Sequence, residues 1–210
     1  MSSAPRASFA ARRVSAANGR IDRYGYRVHM TVRAASDSDL PSIAGIHCRA
    51  RSAAYQGIVP QPTLEAMTVP SVAAWWRLRL AGATERHRML VAETPVAENG
   101  TQVVGFAYLG PTTEPGADDR AGELFAIHVD PPYQGLGVGR LLMESARSCL
   151  TDLGFDNAVL WVLSDNSRAE RFYQRGGWAT DGGERVGLIG DALTRQVRYA
   201  HALKAHFASA

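Results

Sequence analysis

Apolar residues in the first half of the chain recur at two different spacings, and each spacing predicts a type of element. Residues 40–54 carry apolar side chains every three or four positions, which predicts a first helix. A second helical pattern begins at Ser71 and stops at Gly82. A strand running through residues 30–34 is predicted ahead of both helices, so we place the start of the folded domain near residue 28.

Two strand-like runs come next, at residues 89–93 and 102–110. The turn between them contains Asn99-Gly100, a dipeptide that favours tight hairpins. We therefore predict that the two runs pair as an antiparallel hairpin.

The rest of the chain alternates strands and helices. Residues 123–129 and 158–163 are predicted strands, and a strong apolar stripe over residues 138–153 predicts a helix between them. A strand, a helix and a strand in this order form a βαβ unit, so the two strands should lie parallel. A short helix over residues 167–175 and a final strand within residues 193–203 complete the prediction.

Composition and charge narrow the class of protein. The 210 residues are 46% hydrophobic, which suits a single domain over residues 28–210, preceded by a disordered tail rich in Arg, Ser and Ala over residues 1–27. The first 30 residues hold six arginines against Asp22 alone, whereas the whole chain has a formal charge of +3. The positive charge therefore belongs to the tail and not to a binding face, and we expect no nucleic-acid partner.

Hydropathy and cysteine usage predict the compartment. The first 30 residues lack the apolar run of a secretory signal, and no stretch approaches the roughly 20 apolar residues that span a bilayer, so we expect a cytoplasmic protein without a membrane partner. Cys48 and Cys149 both fall in helical patterns and are predicted to be small core residues. Their spacing predicts neither a disulfide framework nor a CxxC metal site, and we expect no metal.

The segment between the strand at residues 123–129 and the following helix has the composition of an anion-binding loop. It contains glycine at positions 135, 137 and 139, followed by Arg140. Glycine lets the backbone approach a ligand closely, and the first amides of a helix have no internal acceptor, so a phosphate fits there. The alternative interpretation is a tight strand-to-helix turn that uses glycine only for its backbone.

Two common phosphate motifs fit this loop poorly. A Walker loop needs Gly-Lys followed by Ser or Thr, and no lysine is present in the segment. A dinucleotide fingerprint needs G-x-G-x-x-G, whereas the glycines here are spaced G-x-G-x-G after Pro131-Pro132.

Two motifs in this part of the chain resemble the GNAT superfamily of N-acetyltransferases: its acetyl-CoA loop and its N-x-x-A-x-x-x-Y helix. The first motif comprises Gln134, Gly135, Leu136, Gly137, Val138 and Gly139, and the second comprises Asn166, Ala169 and Tyr173. The likeness covers roughly residues 29–204. It implies an α/β fold of the α+β type, with a mixed, mostly antiparallel central sheet, a parallel splayed strand pair and flanking helices.

The resemblance also implies how acetyl-CoA is held as a co-substrate. Backbone groups of Ile127, His128 and Val129 would align the pantetheine arm like an added strand. Amides from Gly135 through Arg140 would hold the pyrophosphate. The implied reaction is direct transfer of the acetyl group to a primary amine in a ternary complex.

Two residues of the second motif are candidates for roles at the thioester. Tyr173 is the candidate acid that protonates the departing thiolate, and the alternative is an aromatic side chain that packs with Phe172. Asn166 would bind the coenzyme A arm or orient the acid, and the alternative is an N-cap of the helix.

The candidate base is Glu123, at the start of the central strand, and its alternative is a solvated strand-end residue. His128 is a second candidate base, although strict alternation places it on the face opposite Glu123 unless a bulge intervenes. Tyr55 and Gln56 belong to the segment that covers the acceptor pocket in relatives.

The acceptor is expected to be a small-molecule amine or a protein amino group, and the protein a monomer or a homodimer. Two other classes of function stay open. One is a non-catalytic acyl-CoA sensor that keeps the loop, and the other is a peptide-binding module regulated by the arginine-rich tail.

Overall fold

A mixed sheet of seven strands forms the centre of the computed structural model, which describes residues 20–21, 27–96 and 100–203. The nine strands of the described chain are β1 (Arg20–Ile21), β2 (Arg27–Val28), β3 (Thr31–Ala34), β4 (Arg88–Val96), β5 (Gly100–Pro111), β6 (Ala121–Val129), β7 (Asn157–Leu163), β8 (Ala179–Ile189) and β9 (Ala192–Ala202). The order across the central sheet is β3-β4-β5-β6-β7-β9-β8. β1 and β2 pair with each other as a separate antiparallel ribbon.

Two predictions fall largely outside the described residues. The disordered tail was predicted over residues 1–27, of which only Arg20, Ile21 and Arg27 are described, so it stays a prediction. Asn99 of the predicted turn also lies outside, but β4 and β5 pair antiparallel from Arg88–Leu109 to Val96–Gly100, as expected of the hairpin.

In the part of the chain that the structure describes, five α-helices cover the two faces of the sheet. They are α1 (Leu40–Tyr55), α2 (Gln61–Glu65), α3 (Val69–Ala81), α4 (Val138–Asp152) and α5 (Ser167–Arg175). α1 and α3 pack together on one face, and α4 packs on β4, β5 and β6 from the other. Among the described residues, no helix is long and apolar enough to cross a membrane.

Each face of the sheet has its own hydrophobic core. Ile43 of α1 and Trp76 of α3 pack against Phe106 on one face, and all three side chains are almost fully buried. Leu142 and Leu150 of α4 are fully buried in the core of the other face. Burying a Leu or Ile side chain contributes about 1.5–3 kcal/mol, so the apolar stripe of each helix fixes which side it turns to the sheet.

The parallel pair β6 and β7 diverges after three residues. Its ladder joins Ala121 to Asn157, Gly122 to Ala158 and Glu123 to Val159, and it ends there although both strands continue. All other neighbouring strands of the sheet are antiparallel. The predicted fold class, with a mostly antiparallel sheet and one splayed parallel pair, is confirmed, and the splay leaves a gap in the middle of the sheet.

A bulge in β6 breaks the alternation of its side chains. Tyr108 of β5 pairs with Ala126, but Leu109 pairs with Leu124, so Phe125 is an extra residue. Leu124 packs into the α4 core and its neighbour Glu123 points away from it, while His128 contacts the ring of His47 on α1. The bulge thus places Glu123 and His128 on the same face, which strict alternation did not predict.

Among the strands and α-helices described after residue 30, β8 and α2 have no counterpart in the sequence prediction. β8 lies at the edge of the sheet, and along it only Ile189 is fully buried, so its sequence shows no apolar alternation. The five-residue helix α2 lies between the two predicted helices, in a stretch for which no element was predicted. It is too short to show a helical period.

Candidate active site

A cavity of about 990 Å³ follows the gap between β6 and β7. Most of the residues singled out from the sequence line it: Tyr55, Glu123, Ile127, His128, Val129, Gln134, Gly135, Gly137, Gly139, Arg140, Asn166 and Tyr173. The cavity therefore extends from the glycine loop past Tyr173 to Glu123. It is large enough to hold an extended ligand.

Three other singled-out residues lie elsewhere. Val138 is fully buried and Leu136 packs against the α4 core, so these two offer the cavity only backbone groups. Gln56 lines a separate, smaller cavity of about 550 Å³ together with Cys48 and Arg49. It therefore faces away from the gap that its neighbour Tyr55 lines.

Two side-chain contacts hold the β6 end of the glycine loop, which spans residues 130–140. Arg49 of α1 makes two hydrogen bonds of 2.8 Å to the buried Asp130 carboxylate, at the start of the loop. The Gln134 side-chain amide donates to the carbonyl of Val129 at 3.0 Å and ties the loop back to β6. A charge-assisted, bidentate contact such as the first gives the loop a fixed position relative to α1.

The N-terminus of α4 opens into this cavity without a cap. Gly137 is the N-cap residue, has φ 94°, and offers no side chain to the helix amides. The first bond of the helix runs from the Leu141 amide to the Gly137 carbonyl at 3.0 Å, so the three preceding amides have no helical acceptor. The helix dipole adds positive potential at this end, and an anion is the complementary ligand.

The next glycine lets α5 approach α4. A methyl group added at Gly139 would lie 3.3 Å from the Phe172 ring, so a larger side chain would push the two helices apart. Arg140 adds little fixed charge to the loop, because its exposed guanidinium pairs with Glu144 at 3.3 Å. The anion site is therefore mainly a backbone site.

Tyr173 of α5 lies between aromatic neighbours at the cavity wall. Its ring centroid is 5.4 Å from that of Phe172 and 6.2 Å from that of Tyr199. Burial raises the pKa of the phenol, with a further contribution from Tyr55. The side chain thus packs with Phe172 and also presents a group that stays protonated at neutral pH.

Asn166 caps α5. Its Oδ1 accepts a hydrogen bond of 3.1 Å from the Ala169 amide, which is the geometry of an N-cap. The residue is buried and also lines the cavity. The capping alternative is therefore present in the structure, and it leaves the side-chain NH₂ group for another partner.

Glu123 is a buried carboxylate at the far end of the cavity, with 4% of its surface exposed. Its Oε2 accepts hydrogen bonds from the Thr112 hydroxyl at 3.0 Å and from the Thr113 amide at 3.4 Å. Burial raises the pKa of Glu123, and these hydrogen bonds offset only part of that effect. A carboxylate with a raised pKa is a stronger base than an exposed one.

The partly buried His128 lies beside the buried His47. Its ring centroid is 5.1 Å from that of His47, whose Nδ1 accepts a hydrogen bond of 3.2 Å from the Trp76 indole. Burial lowers the pKa of His47 to about 3 and also lowers the pKa of His128, with Arg51 contributing to both. Both imidazoles are therefore neutral and weakly basic at neutral pH.

The structure adds cavity residues that sequence reasoning missed, among them Arg51, Trp161, Arg185, Leu188 and Gln196. Three of the five, Arg185, Leu188 and Gln196, belong to the β8–β9 hairpin, and β8 had no recognisable pattern. Arg51 lies four residues before Tyr55 on α1, and this helical spacing was the one available signal that it shares a face with Tyr55.

Comparison with known proteins agrees with this geometry. A sequence profile of the acetyltransferase (GNAT) family matches residues 54–178. The N-acetyltransferase YuaI of Bacillus subtilis is 31% identical over 140 residues, which cover 65% of this chain and 73% of that protein. A mycothiol acetyltransferase of Streptomyces bingchenggensis is 36% identical over 85 residues, which cover 40% of this chain and only 26% of that protein.

Solved structures share the fold. An N-acetyltransferase from Staphylococcus aureus superposes with a TM-score of 0.62 at 23% identity, covering 84% of this chain and 99% of that one. The PaiA N-acetyltransferase of Thermoplasma acidophilum, in complex with coenzyme A, gives 0.59 at 17% identity, covering 80% and 97%. The profile match extends over more than half of the chain, and the protein therefore belongs to the GNAT family of acetyltransferases.

Proposed function

We propose that the protein transfers the acetyl group of acetyl-CoA directly to a primary amine, with both substrates bound at once. The observation that carries the proposal is the uncapped N-terminus of α4, which opens into the same cavity as Glu123 and Tyr173. A backbone anion site, a buried carboxylate and a partly buried phenol along one cavity provide the groups that acetyl transfer to an amine needs.

Acetyl-CoA would lie along the gap in the sheet. The amides from Gly135 through Arg140 bind its pyrophosphate, and the β6 edge at Ile127, His128 and Val129 pairs with the pantetheine arm as an added strand would. This edge has no strand partner beyond Glu123, because β7 has diverged. Binding of coenzyme A by PaiA, a protein with the same fold, supports this placement.

Glu123 acts as the base in this proposal. A lysine-like ammonium has a pKa of about 10.4, so the acceptor must lose a proton before its nitrogen can attack. Glu123 takes that proton directly or through water. The nitrogen then forms a bond to the acetyl carbon while the carbon–sulfur bond breaks, and the electron pair leaves on sulfur. The nitrogen loses its second proton to water as the amide forms.

Tyr173 gives the thiolate its proton. The raised pKa keeps the phenol protonated but also makes it a weaker acid. General acid catalysis contributes about 10²- to 10⁴-fold, and a mismatch between the pKa and the working pH favours the lower end of this range. A cysteine nucleophile is disfavoured, because neither Cys48 nor Cys149 lines the cavity and burial raises the pKa of Cys149 to about 11.

The test separates an enzyme from an acyl-CoA sensor that retains the same loop. Wild-type protein and Tyr173→Phe are assayed for thiol release with a panel of primary amines, and coenzyme A binding is measured by calorimetry. We expect Tyr173→Phe to lose about 10²-fold in kcat while binding coenzyme A like the wild type. Coenzyme A binding without thiol release from any amine in the wild type would favour the sensor.

A further inference from the structure

The arginines around the cavity fall into two groups. Four of them lie on α4 and α5, toward the glycine loop: Arg140, Arg147, Arg168 and Arg175. The other two, Arg51 of α1 and Arg185 of β8, line the cavity from other elements. Arg51 and Arg185 are therefore the cationic groups to consider for the second substrate.

Arg185 already has partners. Its Nε donates to Gln196 at 2.8 Å, one terminal nitrogen lies 3.4 Å from a Glu114 oxygen, and the guanidinium stacks 4.2 Å above the Trp161 ring. Two of its N–H donors and its charge therefore have partners within the protein. Arg185 therefore shapes the cavity wall.

Arg51 has no such partners. Its Nε is buried without a hydrogen bond, and within the described ranges no carboxylate lies within salt-bridge distance of its guanidinium. The ring of Tyr55, 5.4 Å away, is its aromatic contact. A partly buried cation with an unsatisfied donor is costly, and an anionic ligand would relieve that cost.

A second arginine helps to interpret this geometry. The Nε of Arg79 is also buried and unsatisfied, but its guanidinium lies over the rings of Phe125 at 4.7 Å and Tyr108 at 5.2 Å. Those aromatic faces stabilise its charge within the core, and Arg79 does not line the cavity. Arg51 does line it, on the same side of the sheet as Glu123.

The two histidines near Arg51 carry no charge that could pair with its guanidinium. His47 and His128 are both neutral, and Arg51 contributes to the lowering of the pKa of each. Glu123 has its own hydrogen bonds to Thr112 and Thr113. The positive charge on this wall is therefore left for a ligand.

We propose that the acceptor amine also carries a carboxylate, and that Arg51 binds this carboxylate while the amino group faces Glu123. The acceptor class is then a free amino acid or a similar small amino carboxylate. The proposal rests on the proposed acetyl transfer and makes Arg51 the residue that selects the acceptor. A guanidinium matches a carboxylate with two parallel hydrogen bonds, which gives selectivity as well as affinity.

The test compares acceptors that differ only in the carboxylate: leucine against 3-methylbutylamine, and 4-aminobutyrate against propylamine. In the wild type we expect the amino carboxylate of at least one pair to have the higher kcat/KM. Arg51→Gln should lower the kcat/KM of that amino carboxylate by about 10- to 100-fold, since a charged hydrogen bond contributes about 1.5–3 kcal/mol. The kcat/KM of the plain amine should stay within about twofold of its wild-type value. Arg51→Lys should recover part of the loss.

Arg77→Gln is the matched control, because it removes the same charge from an exposed position on α3. Thermal unfolding and coenzyme A calorimetry on each variant show whether fold and co-substrate binding are intact. The acceptor proposal is overturned if the wild type prefers the plain amines, or if Arg51→Gln lowers both members of a pair equally. Failure of the proposed function would look different: no thiol release from any amine in the wild type.

Discussion

The two ends of the cavity are built in different ways. The loop end comes from one continuous segment, from Val129 to Arg140, and its binding groups are backbone amides at the start of α4. The other end, called the acceptor end because we propose that the amine binds there, is assembled from side chains that lie far apart in the sequence, such as Arg51, Glu123 and Arg185. A backbone site depends on chain conformation and suits a co-substrate that the whole family shares, whereas a side-chain site can vary with the acceptor.

The largest effect should come from breaking the loop end. Gly137→Glu places a side chain at φ 94° and a negative charge at the helix N-terminus, so coenzyme A binding should fall by at least about 100-fold. Calorimetry measures this directly. Gly116→Glu is the control, because Gly116 has φ 75° with open space around it and does not line the cavity. Equal coenzyme A affinity in the two variants would contradict the backbone anion site.

A smaller effect is expected from the acceptor end. Glu123→Gln should lower kcat by about 100-fold without changing coenzyme A affinity, because it removes only the base. The wild-type rate should rise with pH as Glu123 loses its proton, at a pH above the usual range of glutamate because its pKa is raised. This limb should be absent from the pH–rate profile of Glu123→Gln.

Glu85→Gln, which changes an exposed carboxylate, is the control for that profile. An acidic limb that persists in Glu123→Gln would assign the base to another group. Loss of coenzyme A affinity in the same variant would mean that the two ends are not independent.

The smallest effect concerns the histidines behind the acceptor end. The pKa of His47 is lowered to about 3, so its contribution to stability is present above its unfolded pKa of about 6.5 and is lost as the pH falls toward 3. This loss amounts to about 2 kcal/mol at pH 5. His128, whose pKa is also lowered, acts in the same direction.

Urea unfolding at about pH 7.5 and pH 5 measures how much the free energy of unfolding falls between these two pH values. His47→Gln should unfold with a smaller difference between the two pH values than the wild type, and exposed His29→Gln should match the wild type. Asp39 does not contribute to the difference in stability between these two pH values. Although burial alone would raise its pKa, hydrogen bonds from Arg33 and Ser36 lower it to about 2, so its stabilisation is lost only below about pH 4. An unchanged pH dependence in His47→Gln would contradict the buried neutral imidazole.

The difference between the two ends of the cavity also explains which parts of the molecule could be predicted from the sequence. The loop, α4 and the parallel pair follow from local patterns: a glycine spacing, an apolar stripe and two apolar strands around a helix. The acceptor end depends on contacts between distant segments. Arg51 looks like a solvated charge on the polar face of a helix, and the sequence does not indicate that His128, from a distant strand, lies near it.

Local patterns also failed where an element is exposed or irregular. β8 carries Arg185 into the cavity wall, but its mostly exposed side chains hide it from any hydrophobic period. Tyr55 and Gln56 are adjacent in the sequence, yet the end of α1 after Tyr55 turns their side chains toward different cavities. Such differences arise from how segments pack, which one-dimensional spacing does not record.

The bulge in β6 has its own consequence for evolution and design. If Phe125 entered the ladder as an ordinary strand residue, strict alternation would turn the rest of the strand over, so that His128 would face α4 and Ile127 would face α1. No chemistry at Phe125 itself is needed for this. One unpaired position in the strand decides which functional groups share the cavity.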